Sequence, residues 1–255
     1  MNLDHVKAVV TGGASGLGQA TATRLAAAGA DVALLDVQDE AGRKAAAAIG
    51  SQASYHPCDV TSEAAVDAAV QAATGRMGGL NVAISCAGVA TPGKLLGKDG
   101  PLAVSAFQRV MDINVLGTFL LDRAAASIMQ DNAPGPDGER GLLIHTASVA
   151  AFEGQIGQVA YATSKAAVAG MVLPLARELA RFGIRVVGIA PGIFGTPMMS
   201  GLPQEAQDSL ARQVPFPARL GRPDEYADLV AAIVTNRMLN GETIRLDGAI
   251  RMAPR

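Results

Sequence analysis

A chain of 255 residues, 49% hydrophobic and 4% aromatic, can bury a substantial core, and its abundance of alanine suits helices packed closely on a sheet. The formal net charge of −2 gives no electrostatic case for nucleic acid or an anionic membrane, so neither is expected as a partner. His5, His56 and His145 are scattered without ligand spacing, and Cys58 and Cys86 each close a strand-like run, so neither a metal site nor a disulfide scaffold is expected.

Short apolar runs alternate with longer amphipathic stretches throughout the chain. Strands are predicted near 6–11, 31–36, 53–58, 81–85, 141–147, 184–190 and 243–247, with helices between them. This alternation predicts an α/β fold, a parallel sheet covered by helices on both faces, as one domain over 1–255. The stretches 91–101 (TPGKLLGKDGP) and 131–141 (DNAPGPDGERG) read as surface loops. The first strand follows Met1 closely, leaving no room for a signal sequence, and charges or glycines break every apolar run that could span a bilayer. A cytoplasmic location is expected.

The first strand runs into TGGASGLG, where Gly12, Ser15, Gly16, Leu17 and Gly18 lead into a helix expected to continue to about Gly29. Glycines let a backbone turn sharply and let a phosphate reach the free amides at a helix N-terminus. The second strand ends at Asp36, placed either to accept bonds from an adenosine ribose, favouring NAD over NADP, or to cap the next helix. The third strand leads to Asp59 and Val60 at the place of an adenine ring, where Asp59 could accept from the adenine amino group or cap a helix near Ser62. Ala87 and Gly88 after the fourth strand let a nucleotide pass close to the backbone, and Asn114 is a polar residue in an apolar helical stretch that could bridge backbone groups.

The stretch SVAAFEGQIGQVAYATSK holds Ser148, Tyr161 and Lys165. Four residues apart on a helix, Tyr161 and Lys165 share a face, so the ammonium is expected to acidify the phenol, and Ser148 can bond the same substrate oxygen. Pro191 and Gly192 force a turn at the carboxyl end of the sixth strand, with Thr196 close behind, where open α/β sheets hold ligands. The methionine- and proline-rich segment at about 197–220 reads as a substrate lid, with a dimer contact as its rival. Lys94 and Lys98 could meet the phosphates of a coenzyme A or be merely solvated.

In order along the chain, the Thr11 to Gly18 turn, Asp36, Asn114, Ser148, Tyr161-x-x-x-Lys165 and Pro191-Gly192 with Thr196 resemble the short-chain dehydrogenase/reductase family. The resemblance implies a doubly wound Rossmann fold with a seven-stranded parallel sheet, hydride transfer with NAD, an Asn114, Ser148, Tyr161 and Lys165 tetrad with a water held by Asn114, and a homotetramer. The stretches HTASVAAFEGQIGQ, QVPFPARLGRPDEYADLV and LNGETIRLDGAIRM look like the family's type II 3-hydroxyacyl-CoA dehydrogenase branch. That likeness implies short or branched 3-hydroxyacyl-CoA substrates and Gln158 as a substrate contact. Another alcohol, a steroid or an acyl-carrier-protein thioester is the alternative substrate, and a dinucleotide sensor or scaffold subunit the non-enzymatic one. The sequence departs from the family at Ser85-Cys86, where paired asparagines are usual. Mitochondrial members carry a targeting-type N-terminus, whereas this chain opens Met1-Asn2-Leu3-Asp4-His5, so a cytoplasmic bacterial relative is expected.

Overall fold

The computed structural model describes residues 1–98, 100–200 and 203–254. Its main sheet is built from β1 (Lys7–Thr11), β2 (Asp31–Asp36), β3 (Ala53–Pro57), β4 (Val82–Ser85), β7 (Gly141–Thr146), β8 (Ile184–Pro191) and β9 (Thr243–Leu246). All seven strands are parallel, in the order β3-β2-β1-β4-β7-β8-β9. The order reverses beside β1, which opens a crevice at the carboxyl ends of β1 and β4. A two-stranded hairpin, β5 (Leu96–Gly97) and β6 (Gly100–Pro101), rises from the 91–101 stretch that the sequence presents as a plain loop.

Consecutive strand residues point to opposite faces, and each face has its own apolar core. Val10, Leu34, Ile84 and Ile144 pack beneath α1 (Gly16–Ala26), α2 (Asp39–Ile49) and α9 (Pro223–Thr235). Val9, Leu35, Ala83 and Leu143 pack beneath α3 (Glu63–Met77), α5 (Gly117–Met129) and α6 (Val159–Leu179). Each fully buried leucine or isoleucine contributes about 1.5–3 kcal/mol, and the buried alanines let the helices sit close to the sheet. The first helix stops at Ala26, short of Gly29, which takes φ 95° in the turn to β2.

Between α4 (Val104–Met111) and α5, residues Asp112–Leu116 form a π-helical segment in place of a continuous α-helix. Val159–Phe182, 24 residues spanning α6 and the turn after it, is long and apolar enough to cross a bilayer. Charges and a glycine interrupt this run as the sequence suggests, and one of those charges, Lys165, is buried. The segment read as a lid carries α7 (Pro197–Ser200) and α8 (Gln204–Arg212), and Gly201 and Leu202 within it lie outside the described residues.

Candidate active site

The carboxyl ends of β1, β4, β7 and β8 open into one cavity of about 790 Å³. Its wall includes Gly12, Ser15, Gly16, Leu17, Gly18, Asp36, Asp59, Val60, Ala87 and Gly88, and continues through Ser148, Gln158, Tyr161, Lys165, Pro191, Gly192 and Thr196. The fold therefore gathers the predicted cofactor, substrate and catalytic residues except Asn114, which lies just behind the wall, and leaves Lys94 and Lys98 outside the lining.

At the dinucleotide end, Gly12 takes φ 65°, and a Cβ there would stand 2.8 Å from the Ala87 nitrogen. A Cβ on Gly18 would come within 2.3 Å of the Gly12 carbonyl oxygen, so the turn closes only with glycine at both places. The helix that follows has Ser15 at its N-cap without a side-chain cap bond and no acid in its first turn. Its first amides thus lack both a capping oxygen and a carboxylate of their own, which suits a diphosphate.

Asp36 lies at the end of β2 with its carboxylate bonded to two backbone amides, Ala14 at 3.1 Å and Gln38 at 3.1 Å. Tyr55 secures the same turn, its hydroxyl 2.8 Å from the Asp36 carbonyl and 2.9 Å from Asp39 Oδ1. Asp36 therefore shapes the turn while keeping lone pairs for a ribose; it does not cap α2, whose N-cap is Gln38. Nor does Asp59 cap a helix. It accepts from the Thr61 amide at 2.9 Å and the Thr61 hydroxyl at 2.8 Å, while Ser62 caps α3 by accepting from Ala65. Those two bonds hold the Asp59 carboxyl below the usual carboxylate range.

At the other end, Ser148 caps a short turn, its Oγ accepting from the Ala150 amide at 3.1 Å, and its hydroxyl meets Tyr161. Lys165 is buried on α6 and donates to the Thr146 carbonyl at 2.7 Å; its ammonium lies 5.8 Å from the centroid of the Tyr161 ring. Burial pushes Lys165 down from 10.5 to about 8. Burial also pushes the Tyr161 phenol up, against a smaller downward pull from Ser148. Lys165, expected to acidify the phenol together with a positive nicotinamide, does not by itself lower it here. The ammonium is aimed at a carbonyl, and desolvation outweighs the help the protein gives the phenolate.

Asn114 sits in the π-helical segment, where the wider turn aims its side chain at the loop after β4. Its Oδ1 accepts from the Val89 amide at 2.9 Å, and its Nδ2 donates to the Val89 carbonyl at 3.0 Å and to Ser164 Oγ at 2.9 Å. Ser164 in turn donates to the Tyr161 carbonyl at 2.7 Å. Both amide hydrogens are spent, so a water held here could bond only to the oxygens of Asn114.

Sequence reasoning missed several groups. Tyr226 of α9 is fully buried, with its hydroxyl 2.7 Å from Thr146 Oγ1, and Cys86 Sγ lies 3.5 Å from that oxygen. This thiol and these two hydroxyls tie the ends of β4 and β7 to α9. Gln155, Arg109 and Met252 also line the cavity. A buried tyrosine at helical spacing looks like any core residue, and nothing in the chain marks its partner eighty residues away.

Proton exchange at one end of a cavity and an anion-seeking helix terminus at the other are what a dinucleotide-dependent oxidoreductase requires. The chain belongs to the short chain dehydrogenase family, whose sequence pattern matches residues 6–207. Membership implies a nicotinamide dinucleotide cofactor. The chain is 53% identical over 249 residues to the human protein named 3-hydroxyacyl-CoA dehydrogenase type-2, covering 97% of this chain and 95% of that one. It is 52% identical over 254 residues to the Drosophila melanogaster protein of the same name, covering 99% and 100%. The crystal structure of 3-hydroxyacyl-CoA dehydrogenase type-2 from Mycobacterium avium superposes with a TM-score of 0.94 at 42% identity, covering 99% of this chain and 98% of that one.

Proposed function

We propose that this protein is an NAD-dependent dehydrogenase interconverting 3-hydroxyacyl-CoA and 3-ketoacyl-CoA thioesters. One observation carries the reading: a single cavity joins Asp36 at one end to Ser148, Tyr161 and Lys165 at the other. The thioester substrate is suggested by the names of relatives more than half identical over nearly the whole chain.

When bound, a nicotinamide dinucleotide supplies the hydride acceptor and, in its oxidised form, a positive charge near the phenol. Ser148 and Tyr161 hold the substrate hydroxyl, and Tyr161 takes its proton as the carbinol carbon gives up hydride; the reverse reaction returns both. Lys165, with one N–H committed to Thr146, has two left for a ribose hydroxyl and the phenolate oxygen. Asn114 acts by position, bracing the turn of α6 under Tyr161 through Ser164. Gln158, whose Oε1 accepts from the Gln155 amide at 3.1 Å and whose Nε2 donates to Gln155 Oε1 at 3.3 Å, has one amide hydrogen left for the thioester. Proton transfer of this kind contributes about 10²–10⁴-fold to rate.

NAD over NADP follows from Asp36. A carboxylate repels a 2′-phosphate, and neither Val37 nor Gln38 brings a positive charge to that part of the wall. Lys94 and Lys98, exposed in the hairpin segment beside the mouth, would meet the coenzyme A phosphates. Val104, Phe119 and Leu173 stand exposed on α4, α5 and α6, which supports a homotetramer assembled through these helices, to be checked by light scattering. The free thiols of Cys58 and Cys86 suit the reducing cytoplasm, to be checked by cell fractionation.

The test is NADH oxidation with acetoacetyl-CoA beside NADPH, an acetoacetyl carrier-protein thioester and a simple ketone. Preference for NADH and for the CoA thioester is expected. Turnover of the ketone alone would overturn the substrate, and turnover with NADPH alone would overturn the role of Asp36.

A further inference from the structure

Residues 247–254 form a built wall. Beyond β9 the backbone reverses at Ala249, which takes φ 68°, with its amide donating to Asp247 Oδ1 at 2.9 Å and Ile250 buried behind it. Glu153, on the loop between Ser148 and α6, gathers the returning strand. Its carboxylate accepts from Arg245 at 2.9 Å and 3.3 Å and from the Met252 amide at 2.9 Å, and Arg251 stands 3.4 Å away. Two further bonds fasten this segment to the same loop, Gln155 Nε2 to the Ala253 carbonyl at 2.9 Å and the Ile156 amide to the Pro254 carbonyl at 3.0 Å.

Held this way, Met252 lines the cavity together with Met199 and Leu210 of the 197–220 segment. The three are apolar and unbranched or flexible, able to pack around an aliphatic chain. Charge sorts the two parts of a thioester. The Lys94 side chain passes the other end of the 153–158 loop, its Cγ 4.0 Å from where a Cβ on Gly157 would lie, and so offers a cation to phosphate, while Met252 offers only hydrocarbon.

We infer that Met252 is the end wall of the acyl pocket and sets the acyl length accepted, and that Glu153 is the positioning residue that holds it there. The inference rests on the acyl-CoA reading of the site. Partly buried among ion partners, the Glu153 carboxylate fixes the segment after β9 by two guanidinium contacts and one amide, so the wall stands where an unanchored segment would yield to a longer substrate.

The test measures kcat/KM with NADH for acetoacetyl-CoA and for eight- and twelve-carbon 3-ketoacyl-CoA thioesters, in the wild type and in Met252→Ala, Met252→Trp and Glu153→Gln. Met252→Ala should raise the long-to-short ratio about tenfold, the scale of methylene discrimination in an apolar pocket, and Met252→Trp should lower it. Glu153→Gln should raise the ratio in the same direction as Met252→Ala. A purely structural role for Glu153 would lower thermal stability and leave the ratio unmoved. An unchanged ratio in a folded Met252→Ala protein overturns the wall. If the wild type turns over no CoA thioester, the substrate reading fails, and a series of methyl ketones of increasing length then tests the wall in the same variants.

Discussion

The Lys165 ammonium is bonded to the Thr146 carbonyl oxygen at 2.7 Å, a backbone atom two residues before the catalytic serine of the proposed mechanism. Burial lowers the lysine from 10.5 to about 8, so its charge in the folded protein is lost as pH rises through about 8, while the unfolded chain keeps it to about 10.5. Below about pH 8 the folded state carries a buried charge that weakens it, and stability rises between about 8 and 10.5 as the unfolded state alone stays protonated. Turnover should therefore fall above about pH 8 in steady-state assays, while this group raises the thermal midpoint over the same window. Lys165→Met should be inactive yet melt no lower than wild type at pH 7, because relief of about 3 kcal/mol of burial cost offsets about 1–3 kcal/mol for the unpaired Thr146 carbonyl.

Tyr161 stands higher than an ordinary phenol through burial, with Ser148 pulling it partly back. Ser148→Ala should move the acidic limb of the oxidation pH profile upward and cost about 10²–10⁴-fold in kcat. Tyr161→Phe should lose at least about 10³-fold in kcat while dinucleotide affinity, read by fluorescence titration, stays within a few-fold of wild type.

Asn114→Ala would leave the Val89 amide and carbonyl and the Ser164 hydroxyl without their present partner. Ser164 keeps its bond to the Tyr161 carbonyl, and each of the two Val89 groups left unpaired costs about 1–3 kcal/mol, so a loss of about 2–5 kcal/mol is expected in urea unfolding, together with reduced kcat.

His145 of β7 and Asp122 of α5 form a buried pair, Nε2 to Oδ2 at 2.9 Å. Among the described residues, no hydrogen bond satisfies either ring nitrogen of His145 or the Oδ2 of Asp122. Removing one member strands the other, so Asp122→Leu alone should cost about 3–5 kcal/mol. Replacing both with Asp122→Leu and His145→Leu should recover most of that loss in a double-mutant cycle.

The strand positions were legible because each apolar run is bounded by turn residues and its length fits a buried strand. The glycine turn, Asp36 and the Tyr161–Lys165 pair were legible because their chemistry depends on short spacing. What the sequence hides is contact across the fold. Tyr226 meets Thr146, Met252 meets Glu153, and Asp122 meets His145 only after the sheet has formed, and no local pattern links those positions. The direction of the Tyr161 shift was equally hidden, since spacing places a cation on the right helix face but says nothing of how much water burial removes.

The π-helical segment around Asn114 has the form of a one-residue insertion kept in place by what it does. An α-helix turns about 100° per residue, so deleting one residue from Asp112–Leu116 would leave a more regular helix with Asn114 swung away from Val89 and Ser164. The variant with the better backbone would be the worse catalyst. Along this helix, then, single-residue deletions should be far less tolerated than substitutions, even where they tidy the hydrogen-bonding pattern.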